Sequence, residues 1–180
     1  MNYATIKKQD IANGPGIRVS LFVSGCTRRC QNCFNPETWD FHYGSPFDSD
    51  AVNEILNALH PSYIKGFSLL GGEPFEPTNQ IGVLPLLQEI KKEYPSKDIW
   101  CYTGYDFEKD ICNRMLTTQP ETKSLLSYID VLVDGAFMEE KKDLNLRFCG
   151  SSNQRIIDVP ESLYAQKLVL WNDISSFANY

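Results

Sequence analysis

Three thiols fall within the stretch Cys26-Thr27-Arg28-Arg29-Cys30-Gln31-Asn32-Cys33, directly after the apolar run Ile17-Arg18-Val19-Ser20-Leu21-Phe22-Val23. Gaps of three and then two residues let one short loop wrap three sulfurs around one metal centre. A closed iron–sulfur cluster takes four thiolates. The loop supplies three, and no fourth cysteine follows nearby. A cube-shaped cluster held at Cys26, Cys30 and Cys33 keeps one iron open for a ligand that is not protein. Two other uses of cysteine compete with this one. A structural zinc site closes with four ligands, usually as two separated pairs, whereas Cys101, Cys112 and Cys149 are isolated and His42 and His60 lie off zinc-finger spacing. A disulfide framework belongs to small secreted chains, and this chain is long enough for an ordinary core.

The elements that must position the loop alternate between strand and helix. Ile17 to Val23 reads as a buried strand. Asp48 or Ser49 caps a helix to about Leu59, with Val52, Ile55, Leu56 and Leu59 on one face, and Pro61 ends it. Gly66 to Leu70 is a second strand, stopping at Gly71-Gly72. Thr78 or Asn79 opens a helix to about Tyr94, with Pro85 as a point where it starts or bends. Asp98 to Tyr102 is a third strand, ending at Thr103-Gly104, and Asp106 caps a helix to about Leu116. A helical segment from Glu121 to Tyr128 leads into strands at Ile129–Val133 and Arg155–Val159. This order predicts an α/β fold with a largely parallel sheet and right-handed crossovers. Four or five units are too few for a closed eight-fold barrel, so the expectation is a partial (βα) barrel. Chemistry in such sheets gathers at the carboxyl ends of strands, where the cysteine loop, Gly71-Gly72-Glu73, Thr103-Gly104 and Asp134-Gly135 all fall.

The 180 residues suit a single domain over 1–180, with 155–180 as a C-terminal cap or partner-docking tail carrying Trp171, Phe177 and Tyr180. Hydrophobic content of 42% and charge of 22% are those of an ordinary soluble globular protein. A net charge of −6 argues against a nucleic-acid-binding face, which needs basic surface. No apolar run approaches the roughly 20 residues that span a bilayer. Met1 to Lys8 lacks an apolar signal core, so the expected location is the cytoplasm, where six cysteines stay reduced.

The cysteine spacing after a strand resembles the radical S-adenosylmethionine (SAM) superfamily. More of the chain resembles one branch, the activating proteins of anaerobic ribonucleoside-triphosphate reductase. The pieces are Asn13-Gly14-Pro15-Gly16, the cysteine loop, Gly71-Gly72-Glu73-Pro74 and Trp100-Cys101-Tyr102-Thr103-Gly104-Tyr105, then Val131-Leu132-Val133-Asp134-Gly135 and Gly150-Ser151-Ser152-Asn153-Gln154. They appear in family order from about Ile11 to Gln154. The resemblance implies a [4Fe-4S] cluster on Cys26, Cys30 and Cys33, with SAM chelated at its open iron. It further implies reductive cleavage of SAM to a 5′-deoxyadenosyl radical, and a glycyl radical formed on the large subunit of the reductase. A one-electron donor such as flavodoxin is expected as second partner, and no nucleic acid or membrane. No side chain is expected to act as a catalytic acid or base.

Within that resemblance the cofactor-binding residues are Asn32, Cys33, Phe34, Gly72, Glu73 and Thr103. Backbone from Asn32 to Phe34 faces adenine, with the Phe34 ring nearby. The two glycines before Glu73 allow close backbone approach to a ligand, or form a tight strand-to-helix turn. Thr103 bonds ribose or carboxylate, or caps a helix. Asp134 touches SAM or the substrate loop, or serves a turn. Arg28 and Arg29 raise the cluster potential or lie on the surface. Gly150 to Gln154 reads as a polar surface loop, or as part of the partner's receiving face. Cys101, Cys112 and Cys149 read as small buried hydrophobes. Other outcomes stay open: activation of another glycyl-radical enzyme such as pyruvate formate-lyase, an electron-transfer iron–sulfur protein, and a zinc-stapled interaction module.

Overall fold

The computed structural model describes residues 1–172. Its strands are β1 (Asn2–Asp10), β2 (Ile17–Val23), β3 (Ser45–Pro46), β4 (Ile64–Gly71), β5 (Asp98–Tyr102), β6 (Val131–Asp134) and β7 (Arg155–Asp158). They form one sheet in the order β3-β1-β2-β4-β5-β6-β7. The middle of it, β2, β4, β5 and β6, is parallel, as strand alternating with helix requires. The flanks are antiparallel, with β1 against β2, β3 against β1 and β7 against β6. The fold is α/β with a mixed, mostly parallel sheet.

Two differences from the sequence expectation have local causes. β1 precedes the strand expected to come first. Its run Asn2-Tyr3-Ala4-Thr5-Ile6-Lys7-Lys8 is mostly half-buried or exposed, because β1 has just the two-residue β3 on its outer side. Such a strand carries too little apolar alternation to be read. β7 was expected as a further parallel strand. No crossover helix lies between β6 and β7; the chain returns through an irregular segment with a short 3-10 turn at Glu139–Lys141, and so pairs antiparallel.

The helices are α1 (Ser49–Leu59), α2 (Pro77–Glu93), α3 (Leu116–Thr118), α4 (Pro120–Tyr128) and α5 (Val159–Ala165). Asp48 caps α1 as expected, accepting from the backbone N–H groups of Asp50 and Ala51. α2 runs unbroken through Pro85. Both Pro85 and Ile81, whose carbonyl the proline ring deprives of its donor, are exposed, so the break in the hydrogen-bond ladder falls on the solvent side of the helix. The helix expected after Asp106 is a π-helix, Phe107–Met115, leading into α3. The main core fills one face of the sheet. Val19, Leu21 and Val23 of β2, Phe67 and Leu69 of β4, Ile99 and Cys101 of β5 and Leu132 of β6 pack there with Ile55, Leu59, Val83, Leu87, Ile90, Ile111 and Leu125 of the helices. Alternate residues turn to the other face, and there Trp100 packs edge-on against Phe148 and Trp171 at 5.3 and 5.0 Å. That contact, with β7 and α5, joins residues 155–172 to the sheet. Phe177 and Tyr180 lie outside the described residues.

Candidate metal and cofactor site

The cysteine loop leaves the end of β2 and is closed by its own backbone. Gly25 N–H donates to Thr38 O at 2.8 Å and Cys26 N–H to Trp39 O at 3.3 Å, so the 3-10 turn Pro36–Trp39 returns the chain to its start. Between those closures, Arg29 and Asn32 adopt left-handed conformations with φ of 48° and 55°. Each immediately precedes a cysteine, so the chain reverses in both gaps of the spacing. Asparagine enters that region readily; arginine does so at a cost. The loop is held from outside by the start of α2. Thr27 donates its backbone N–H and hydroxyl to Glu76 Oε1 at 2.8 and 2.5 Å. Asn79 donates to the carbonyls of Ser24, Gly25 and Glu73 at 3.0, 3.3 and 2.9 Å.

Cys26, Cys30 and Cys33 line one cavity of about 190 Å³, together with the ends of three parallel strands. Gly71, Gly72 and Glu73 come from β4, Thr103 and Gly104 from β5, and Gly135 from β6. Arg28, Phe34, Tyr102, Phe137 and Gln154 add further wall. Among the described residues, no three His, Cys, Asp or Glu side chains converge on a single-ion site. The thiols instead stand around a shared space, where each can take a different metal atom of a cluster. Burial pushes the Cys26 thiol up to about 11, so a bound metal cation would have to displace its proton to solvent. Cys101 is buried in the sheet core, Cys112 packs against that core from the π-helix, and Cys149 sits beside Trp100 on the opposite face. None of the three lines the cavity.

The polar side chains at the strand ends are mostly spent on one another. Glu73 is fully buried; its Oε1 accepts from Phe75 N–H at 3.0 Å and Thr103 Oγ1 at 2.7 Å, and its Oε2 from Gly104 N–H at 2.8 Å. Burial pushes this carboxyl up to about 7, against the pull of those donors. Thr103 Oγ1 also accepts from Tyr105 N–H at 3.1 Å, a local turn contact, while Asp106 caps the π-helix. Glu73 and Thr103 thus brace the end of β4 to the end of β5 from within the cavity wall. Gly72 answers to packing: a Cβ there would meet Gly25 O at 2.5 Å, so the close approach is that of the cysteine loop's backbone. Its N–H donates to Val23 O at 2.7 Å.

Asp134 is 1% exposed and accepts from Arg155 Nε at 3.0 Å and Nη2 at 2.5 Å and from Phe107 N–H at 2.8 Å. It ties β6, β7 and the π-helix together and does not line the cavity. Asn32 is exposed and does not line it either, whereas Phe34 does, 63% exposed with its ring 4.8 Å from that of Phe137. Gly150 to Gln154 is an internal brace rather than a surface loop. Gln154 accepts from Gly150 and Ser151 N–H and donates to Gly135 O, Asn153 donates to Ala136 O, and buried Ser151 accepts from Met138 N–H. The sequence did not single out Asn79, Glu76, Tyr102 or Phe137 as parts of the site, and left Arg28 undecided. A buried amide at the first turn of a helix that follows a glycine pair was the available signal for Asn79.

The sequence pattern of the 4Fe-4S single cluster domain matches residues 12–157. The chain is similar to proteins named anaerobic ribonucleoside-triphosphate reductase-activating protein. With that of Haemophilus influenzae it shares 41% identity over 158 residues, 87% of this chain and 97% of the relative. With that of Escherichia coli K12 it shares 42% over 156 residues, 86% and 96% of the two chains. With that of Enterobacteria phage T4 it shares 40% over 156 residues, 87% and 93%.

Proposed function

The chain belongs to the family of anaerobic ribonucleoside-triphosphate reductase-activating proteins, and from that premise we propose how its residues serve the activity. It is an enzyme with a [4Fe-4S] cluster and SAM as cofactors, and it generates a glycyl radical on the anaerobic reductase. When bound, the reduced cluster supplies the electron that splits SAM into methionine and a 5′-deoxyadenosyl radical, which takes a hydrogen atom from a glycine Cα of the reductase.

The observation that carries the residue assignment is the meeting of three thiols with the ends of β4, β5 and β6 around one cavity. Cys26, Cys30 and Cys33 hold the cluster, and the absence of a fourth thiol from the cavity's lining suits a cluster with one open iron. Backbone of Cys33 and Phe34 and the carbonyl side of Gly72 receive SAM, with the Phe34 ring as an apolar wall, while Asn32 shapes the loop from outside the cavity. Glu73 and Thr103 set the distance between the two strand ends that form the floor. Their hydrogen bonds within the protein support a positioning role in place of the direct SAM contacts expected of their side chains. We read the parallel strands as the partial (βα) barrel of the radical SAM type, within one domain that includes residues 155–172.

A primary carbon radical must be kept from water and oxygen. The cavity rim carries Phe34, more than half exposed, so the chain does not close the site alone. The large subunit of the reductase supplies the remaining wall. Reduced flavodoxin is the proposed electron donor and the cytoplasm the proposed location; among the described residues no helix is long and apolar enough to cross a membrane.

The test is 5′-deoxyadenosine production by anaerobically reconstituted, dithionite-reduced protein given SAM, with and without the reductase, and with Cys30→Ala treated identically. Product from the wild type, none from the variant, and a glycyl-radical signal only with the reductase are expected. No product from protein with a full cluster in either setting would overturn the reading.

A further inference from the structure

We propose that Arg28 forms an anion subsite in the wall of the cavity and takes the methionine carboxylate of SAM, an inference that rests on the SAM-dependent activity above. The side chain reaches from the cysteine loop across to the end of β5. A Cβ built on Gly104 would stand 2.6 Å from Arg28 Cδ and 2.7 Å from its Nε, so the chain lies flat on a surface that glycine keeps open. Its guanidinium sits 4.7 Å over the Tyr105 ring, an arrangement that fixes the plane of the fork.

What that fork lacks is an acceptor. Arg28 Nε is buried without a hydrogen-bond partner, and the guanidinium makes no ion pair among the described residues. The two other arginines built into the sheet differ: Arg18 holds Asp98 at 2.7 Å, and Arg155 holds Asp134 and Glu108. Two acids feel its charge, Glu73 and Asp110, and Asp110 is paired with Arg114 at 3.1 Å. Both Glu73 oxygens are already taken by Phe75, Thr103 and Gly104. A planar cation with free, partly desolvated donors and a stacked face matches a carboxylate, which it grips through two parallel hydrogen bonds. The ligand of this cavity carries one carboxylate. Its sulfonium and ammonium groups are cations that the guanidinium repels, so the contact also selects an orientation.

The experiment measures equilibrium binding to the full-length, anaerobically reconstituted protein of two inert probes. S-adenosylhomocysteine keeps the carboxylate, and 5′-methylthioadenosine lacks the amino-acid portion. Arg28→Gln is expected to weaken S-adenosylhomocysteine about tenfold to a hundredfold, the range for a lost charge-assisted hydrogen bond. Arg28→Lys recovers part of it by restoring the charge. Binding of 5′-methylthioadenosine, iron content and cluster absorption stay as in the wild type. Unchanged S-adenosylhomocysteine binding in Arg28→Gln overturns the subsite, as does an equal loss for both probes. Failure of the wild type to bind S-adenosylhomocysteine overturns it as well. If the wild type makes no 5′-deoxyadenosine yet shows this discrimination, the activity reading falls and the subsite stands.

Discussion

Replacing Arg18 by methionine keeps an unbranched apolar stem and removes the guanidinium with its charge at a site with no access to water. Arg18 is fully buried on the face of the sheet opposite the main core. It contacts Asp98 at 2.7 Å and donates to Ser68 Oγ at 2.7 Å, Phe67 O at 2.8 Å, Asp98 O at 3.2 Å and Pro15 O at 3.3 Å, with Trp100 stacked at 5.6 Å. One guanidinium therefore links β2, β4, β5 and the loop before β2. Burial lowers the Arg18 pKa, and Asp98 offsets part of that. Removing one partner of a buried pair leaves the other uncompensated, at about 3–5 kcal/mol. The Asp98 side chain is 27% exposed, which puts the expectation at the lower end, roughly 3 kcal/mol. For a chain of this size that is roughly 6–12 °C in Tm.

The same reasoning makes the pair non-additive. Asp98→Asn keeps the carbonyl acceptors of Arg18 and costs roughly 1–2 kcal/mol. Combined with Arg18→Met it removes the stranded carboxylate as well, so the double variant should be more stable than the summed singles by about 1–2 kcal/mol. Thermal unfolding of the anaerobic cluster-loaded protein, followed by circular dichroism, reads all four corners of the cycle. Partial burial also predicts that the loss is little changed by salt. A loss under about 1 kcal/mol for Arg18→Met, or singles that simply add, would refute the argument that burial dominates here.

Two further outcomes concern the site. Glu73 takes its proton more readily folded than unfolded, at about 7 against 4.5, so its contribution to stability is complete below 4.5 and is lost as pH rises through 7. Between those limits wild type should lose roughly 3 kcal/mol relative to Glu73→Gln; melting both proteins from about pH 5 to pH 8 checks it, and parallel curves would contradict it. Asn79→Ala removes the donor shared by the carbonyls of Ser24, Gly25 and Glu73. It should cost about 1–3 kcal/mol and lower the iron retained per chain after desalting, while Asn145→Ala, in an exposed turn, should not change iron content.

Much of this arrangement is legible in the sequence because it depends on spacing and periodicity. The cysteine gaps, the capping aspartates at 48 and 106 and the apolar strand runs are local signals, and the structure places each where local chemistry puts it. What stayed hidden depends on pairing across the chain. Nothing near Asp134 shows that Arg155 will neutralise it, nor near Gly72 that Gly25 will press against it. β1 was missed because its polar residues face water along an edge, and the direction of β7 because an irregular return replaces a helix.

Those long-range pairings also decide which groups are left for chemistry. Around the cavity, Glu73, Thr103 and Gln154 have their hydrogen-bonding atoms engaged within the protein, and Asp134 behind them is saturated. Engaged groups cannot also be the main ligand contacts without opening the braces between strand ends. Recognition then falls on what remains: three thiols, backbone polar groups beside the glycines, the Phe34 and Phe137 rings and the guanidinium of Arg28. These suit holding a cofactor firmly and contribute little that would read a protein substrate. On the proposed function, the choice of glycine is therefore set by how the reductase seats on the rim. Conservative changes inside the cavity should alter SAM affinity well before they alter which glycine is attacked. Mapping the radical site on the reductase by oxygen-dependent backbone cleavage, with the wild type and Arg28→Lys, separates the two. An unchanged cleavage position with weakened SAM binding supports that division, and a shifted position refutes it.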